Sequence, residues 1–131
     1  MSASTIKTGI VHFGVGRFHR AHEALYVDEL LRAGHSNWGI CGVCMLPFDK
    51  YIFETLQTQK GKYHLIERDN DSAEVKEIAS IVELIYGFLN PAEVFDKLVE
   101  PDVKLVTFTV TEAGYYFEGA DRRLDISHAN I

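Results

Sequence analysis

The sequence predicts an α/β fold built on a mostly parallel sheet with one antiparallel hairpin, and three observations predict it. A short apolar run, Ile10-Val11-His12-Phe13, lies between Gly9 and Gly14 without polar alternation, as in strands covered on both faces. A helical pattern and a second apolar run follow, so that strand, glycine turn, helix and strand make one βαβ unit. Farther on, two strand-like runs flank the polar stretch Arg68-Asp69-Asn70-Asp71-Ser72, the composition of a hairpin loop.

Taken in order, the first strand leads through Gly14-Val15-Gly16-Arg17-Phe18 into a helix expected from His19 to Ala33. Ala21, Ala24, Leu25, Val27 and Leu31 share one side of it, and Gly34 stands where a left-handed cap ends a helix. Asp28 interrupts the apolar side and is expected to be paired near the sheet edge. The second strand reads Trp38 to Met45. Pro47-Phe48-Asp49 then turns into a helix over Lys50–Gln59, with Tyr51, Ile52, Thr55 and Leu56 inward and Gly61 at its end. Tyr63–Glu67 and Val75–Ala79 are the hairpin strands. Ile81–Tyr86 is apolar without a decisive period. Asn90-Pro91-Ala92-Glu93 is a helix start, with Asn90 capping, Pro91 at the first position and Glu93 reaching back. Leu105–Val110 is the next strand, and Thr111-Glu112-Ala113-Gly114-Tyr115 leaves its carboxyl end.

The chain has 131 residues, enough for one domain with a core and few for a two-domain enzyme. A net charge of −6 without a basic patch argues against a nucleic-acid partner. The apolar runs are too short for a membrane span or a signal peptide, so a cytoplasmic location is the default expectation. Cys41 and Cys44 have Cys-x-x-Cys spacing, but no second pair completes a zinc site. On a strand they point to opposite faces, and two small buried thiols are expected.

The best chemical signal is Gly14-Val15-Gly16 between a buried strand and a helix. A dinucleotide diphosphate needs main-chain N–H groups with no side chain in the way. Gly14 permits the tight turn, Gly16 lets the backbone approach, and the helix turns its positive end to the charge. His19 occupies the place of the third fingerprint glycine. The competing reading is a tight turn without a ligand. Asp49 is the candidate acid for the adenosine ribose, though it lies later than usual and reads equally as a cap for the helix at Lys50. Facing the ribose it would repel a 2′-phosphate and favour NAD over NADP. Arg17 and Arg20 are candidates to neutralise phosphate. His19 and His22 are spaced i, i+3 beside Glu23, but two local imidazoles make a poor metal site, and no metal is expected. The other histidines, at 12, 35, 64 and 128, form no cluster in the sequence. Glu112 and Thr111 lie beyond the carboxyl end of a parallel strand, where ligands bind in open α/β sheets and where a solvated loop is the alternative.

The run Ile10-Val11-His12-Phe13-Gly14-Val15-Gly16-Arg17-Phe18-His19-Arg20-Ala21-His22 closely resembles the N-terminal signature of the mannitol dehydrogenase family of long-chain polyol dehydrogenases. That family includes mannitol 2-dehydrogenase, arabinitol 4-dehydrogenase and fructuronate reductase. Trp38-Gly39-Ile40-Cys41-Gly42-Val43 resembles its second strand. Thr109-Val110-Thr111-Glu112-Ala113-Gly114-Tyr115 resembles its Thr-Glu-Gly-Gly-Tyr segment. The resemblance implies a Rossmann-type domain, NAD as cofactor, and zinc-free hydride transfer between a sugar alcohol and its ketose, for the closest match D-mannitol and D-fructose. It places the cofactor along Ile10, Val11, His12, Phe13, Gly14, Val15, Gly16, Arg17, Phe18, His19, Arg20 and Ala21, with Asp49 and Thr111, and Glu112 near the active-site entrance.

In the family a lysine base, assisted by asparagine and histidine, belongs to a later helical domain, and no position here matches those residues. The expectation is therefore an incomplete, N-terminal portion of the fold: residues 1–131 as a partial NAD-binding domain, the catalytic domain absent, and little or no activity alone. A polyol or ketose would be met through the missing domain. Departures from the pattern are Arg17 where a small residue is common, Cys44 and Ala113 for glycines, and Phe48 beside Asp49. A non-catalytic nucleotide-binding module is the alternative, as is a portion of an arabinitol dehydrogenase or fructuronate reductase. Oligomeric state is not readable from the sequence.

Overall fold

The computed structural model describes residues 6–110 together with 117, 118, 123, 124, 126 and 127. The elements are β1 (Thr8–Phe13), α1 (Arg17–Ala21), α2 (Glu23–Arg32), β2 (Gly39–Cys44), a 3₁₀ turn (Pro47–Asp49), α3 (Lys50–Thr58), β3 (Tyr63–Arg68), β4 (Ala73–Ile78), β5 (Ile81–Tyr86), α4 (Pro91–Leu98), β6 (Leu105–Phe108), and the short strands β7 (Phe117–Glu118) and β8 (Arg123–Leu124).

Four strands form one parallel sheet in the order β5-β2-β1-β6. The chain starts in the middle at β1, steps outward through β2 to β5, and returns by α4 to the other side of β1. The order therefore reverses between β1 and β6, which opens a crevice at their carboxyl ends. β3 and β4 pair antiparallel over Tyr63↔Ile78 to Arg68↔Ala73 as a separate hairpin. This is the expected fold class, and it settles Ile81–Tyr86 as a parallel strand. An apolar run has no period when its strand is covered on both faces.

Strand alternation divides the core in two. Ile10, Ile40, Cys44 and Ile81 face α2, α3 and the hairpin through Ala24, Leu25, Leu31, Leu56 and Ile78. Val11, Cys41, Val43 and Ile85 face the other way, toward Val94 and Leu98 of α4. Each fully buried aliphatic side chain stabilises by roughly 1.5–3 kcal/mol. Asp28, buried within this packing, ties α2 to the hairpin. Its carboxylate accepts the Ala79 N–H at 2.8 Å and Arg32 Nε–H at 2.7 Å, which is the pairing expected for it.

Several local expectations are corrected. The single helix over His19–Ala33 is two helices, broken at His22, whose φ is −124° and ψ −84°. The His22 ring stacks on Phe18 and its Nδ1–H donates to the Phe18 carbonyl at 2.8 Å, a side-chain bond that competes with the helix ladder. On α3, Leu56 is buried with Ile52 and Phe53 half-buried beside it, whereas Tyr51 is 79% exposed. The Phe53 ring stacks on Tyr86 of β5, and this sets the helix rotation. Pro91 does open α4, but Asn90 makes no side-chain cap, and Glu93 does not complete a capping box. The Asn90 amide donates instead to the Tyr86 carbonyl at 3.4 Å, a long contact back to the end of β5.

Candidate functional site

The turn after β1 is fixed from three sides. Gly14 has φ +92°, a conformation that strains any other L-residue, and its N–H donates to the Val43 carbonyl at 3.0 Å. Its carbonyl points back into the protein and accepts from Gly16 N–H at 2.8 Å, His12 Nε2 at 3.1 Å and Thr109 Oγ1 at 3.2 Å. Val15 turns inward and is buried against Gly42, where an added methyl would come within 2.7 Å of Val15 Cγ2.

Gly16 differs from both. Its backbone is extended, and a methyl added there would meet nothing within 4 Å. Among the described residues, no packing demands glycine at 16. The turn lies at the carboxyl end of β1, beside Thr109 that follows β6, hence at the reversal of strand order.

The break at His22 means that only the five residues of α1 follow the turn directly, so the dipole behind it is shorter than expected. α1 has no acidic residue in its first turn. Arg17 is exposed. Arg20 Nε donates to the Gly16 carbonyl at 3.2 Å, which bends that side chain onto the turn, and Phe18 is 66% exposed. Ile10 and Val11 are buried in the strand that carries the turn, and Phe13 and Ala21 are half-buried at its flanks.

Beneath the turn lies a cluster that sequence reasoning missed. His12, in β1, and His19, in α1, are both fully buried and stack with ring centroids 3.7 Å apart and planes 11° from parallel. Glu23 Oε1 stands 3.7 Å from His12 Nδ1 and 3.5 Å from His19 Nε2, and Thr107 of β6 reaches both His12 and Glu23. Among the described residues, neither nitrogen of His19 has a hydrogen-bond partner. Burial, then the neighbouring His19, pull the His12 imidazole down to about 4, against Glu23 and the Gly14 carbonyl. Burial pushes the Glu23 carboxyl upward, but the surrounding His19, His12 and Thr107 outweigh it and hold it below the usual range. The signal available was His12 itself, a polar side chain in a strand otherwise apolar on both faces.

His12, His19 and Glu23 bring ligand atoms within 4.8 Å of one another. Stacked rings cannot both direct an in-plane lone pair at one ion, so this arrangement suits hydrogen bonding better than coordination. The His19, His22 and Glu23 set does not assemble, since His22 faces Phe18. Cys41 and Cys44 are free, buried and on opposite faces of the sheet. Burial pushes their thiols up to about 12 and about 11, as inert structural cysteines.

Asp49 is half-buried just beyond β2. Its Oδ2 accepts the Leu46 N–H at 3.1 Å, so it braces the 3₁₀ turn and does not cap α3, while Phe48 beside it is 78% exposed. Thr111 and Glu112, with Ala113, Gly114, Tyr115 and His128, lie outside the described residues. No helix among the described residues is long and apolar enough to cross a membrane.

Comparison with known proteins matches this geometry to one family. Residues 8–129 match the model of the mannitol dehydrogenase Rossmann domain. The mannitol 2-dehydrogenase of Phaeosphaeria nodorum is 42% identical over 96% of this chain and 22% of its own length, and that of Neosartorya fischeri 40% identical over 96% and 25%. Among solved structures, the Pseudomonas fluorescens mannitol 2-dehydrogenase ternary complex with NAD and D-mannitol superposes with a TM-score of 0.85 at 34% identity, over 95% of this chain and 26% of that one. A D-sorbitol dehydrogenase in substrate-free form gives 0.85 at 33% identity, over 98% and 27%. The chain thus spans about a quarter of the length of the relatives it matches.

Proposed function

Because this chain belongs to the mannitol dehydrogenase family, we propose that it is the NAD-binding part of a polyol dehydrogenase. The observation that carries this reading is the Gly14-Val15-Gly16 turn, with room beside Gly16 among the described residues, at the reversal between β1 and β6. The Val15 N–H of the turn and those of the first residues of α1 would hold the diphosphate, with Arg17 alongside. Asp49, at the end of β2, would meet the adenosine ribose, and its charge favours NAD over NADP. Thr111 would flank the cofactor, and Glu112 would stand at the active-site entrance.

Bound NAD supplies the acceptor for a hydride, so that a secondary alcohol becomes a ketone as its hydroxyl proton leaves to a base. The relatives' names favour D-mannitol and D-fructose as the substrate pair. No position here matches the family's lysine base or its asparagine and histidine helpers. Residues 1–131 act as a cofactor domain, with the polyol bound and deprotonated by a separate helical domain, in the cytoplasm. The 131 residues alone bind NAD without turning over polyol.

Fluorescence titration of the chain with NADH, with NADPH in parallel, tests this. Saturable binding with NADH the tighter is expected, and no reduction of NAD when D-mannitol is added. Absence of saturable binding by either dinucleotide overturns the reading, and turnover of mannitol overturns the claim of inactivity.

A further inference from the structure

Two glycines within three residues make the turn permissive, so something must hold its peptides in one orientation. The peptide between Gly14 and Val15 is the one most firmly held. It is trans, as every described peptide bond is, so its C=O and N–H point in opposite directions. The carbonyl is drawn toward the sheet by His12 Nε2 at 3.1 Å and Thr109 Oγ1 at 3.2 Å. The Val15 N–H is thereby turned away from the sheet.

The proton inventory explains why a histidine does this. A carbonyl only accepts, so His12 Nε2 must carry hydrogen. In a neutral ring Nδ1 is then a lone pair, and Thr107 Oγ1, 2.7 Å away, has the hydroxyl to fill it. The same hydroxyl is 3.0 Å from Glu23 Oε1, and one proton cannot serve both. If it goes to Glu23, Nδ1 must itself be protonated to meet Thr107. A neutral ring protonated at Nδ1 has no hydrogen at Nε2, so the bond from Nε2 to the Gly14 carbonyl requires that the Thr107 hydroxyl turn to Nδ1.

Resting on the reading that this turn takes a dinucleotide, we propose that His12 is a positioning residue for it: fully buried, it fixes the Gly14–Val15 peptide in the orientation that offers the Val15 N–H to the diphosphate. Thr107, by turning its hydroxyl to Nδ1 and not to Glu23, sets the tautomer that makes this possible.

Two measurements on the full chain test the proposal. Long-range proton–nitrogen NMR of the labelled protein should find His12 protonated at Nε2, and an Nδ1–H tautomer overturns it. NADH titration should weaken about tenfold or more in His12→Leu, a loss of roughly one such hydrogen bond, and recover most of the way in His12→Gln, whose amide can donate to the same carbonyl. Should His12→Leu not fold, Thr109→Val at the exposed second donor is expected to weaken NADH binding about threefold. A wild type that binds neither dinucleotide overturns the functional reading and this inference with it. A wild type that binds, beside a folded His12→Leu or Thr109→Val that binds equally well, overturns only the role of the clasp, as does a His12→Gln no better than His12→Leu.

Discussion

β1 carries a polar side chain at each end, and the two ends are built on different terms. At the amino end Thr8 Oγ1 donates to Glu83 Oε2 at 2.6 Å, and Lys97 Nζ lies 2.6 Å from Glu83 and 2.9 Å from Glu100. Opposite charges meet at hydrogen-bond distance, and water still reaches the carboxylates, which are nearly half exposed. At the carboxyl end His12 and His19 are stacked out of water over one carboxylate, and among the described residues neither nitrogen of His19 has a hydrogen-bond partner. The first end is arranged for stability. The second holds buried polar atoms at a cost of about 1–3 kcal/mol for each one left unsatisfied, beneath the turn proposed to bind the dinucleotide.

Acid should separate the two ends most strongly. His12 is held down to about 4 in the fold and takes its proton near 6.5 when unfolded. Between those values the unfolded chain binds more protons, so stability is lost as pH falls through that window. Glu83 also has a lowered pKa, because its bonds to Lys97 and Thr8 outweigh burial. A lowered carboxylate contributes stability above its unfolded value of 4.5 and loses it only as pH falls below that. Urea unfolding followed from neutral pH downward should therefore show an early loss from His12 and a later one, below about 4.5, to which Glu83 and Glu23, both held low, contribute. His12→Gln should remove the early step alone. Superimposable pH curves for the two proteins would mean that His12 titrates normally and that the contrast between the ends is wrong.

The amino end can be broken directly. Lys97→Met keeps the buried stem on α4 and removes the ammonium, whose side chain is 12% exposed. Breaking a buried pair costs several kcal/mol, but the exposed carboxylates are screened here, and about 1–2 kcal/mol is expected. Added salt should shrink that difference in a urea melt. A loss that salt leaves unchanged would assign the stabilisation to packing of the lysine stem.

The contrast between the ends follows what a sequence can show. The β1 run, the turn at Gly14, the hairpin about residues 68–73 and the opposed Cys41 and Cys44 are written in neighbouring residues, and they appear as expected. The helix break at His22 was hidden because the apolar pattern of Ala21, Ala24 and Leu25 runs through it unchanged, while the cause is a histidine side chain bonding four residues back. The cluster at the carboxyl end was hidden for a different reason. Thr107 is 95 residues from His12, and only the return of the chain through α4 to lay β6 beside β1 brings them together. Asp49 read equally as helix cap and ribose partner because both use one carboxylate. The structure gives it a different bond, from the Leu46 N–H, which local pattern did not suggest.

The carboxyl end can be sharpened by a substitution of opposite sign. His19 is completely buried, and Glu23 Oε1 lies 3.5 Å from its Nε2, at the outer limit of a hydrogen bond. Replacing an unsatisfied buried polar group by an apolar one of similar size removes a desolvation cost without removing a bond. His19→Leu should therefore raise the unfolding free energy by about 1 kcal/mol, less whatever the lost stack on His12 contributed. Lys97→Met at the other end lowers it. The stabilised variant should bind dinucleotide no better than the parent, since the Gly14 carbonyl is held by His12 and Thr109 and not by His19. If His19→Leu instead destabilises by as much as Lys97→Met, the contact with Glu23 is a working hydrogen bond in solution. Both ends of β1 would then be stabilising networks of the same kind.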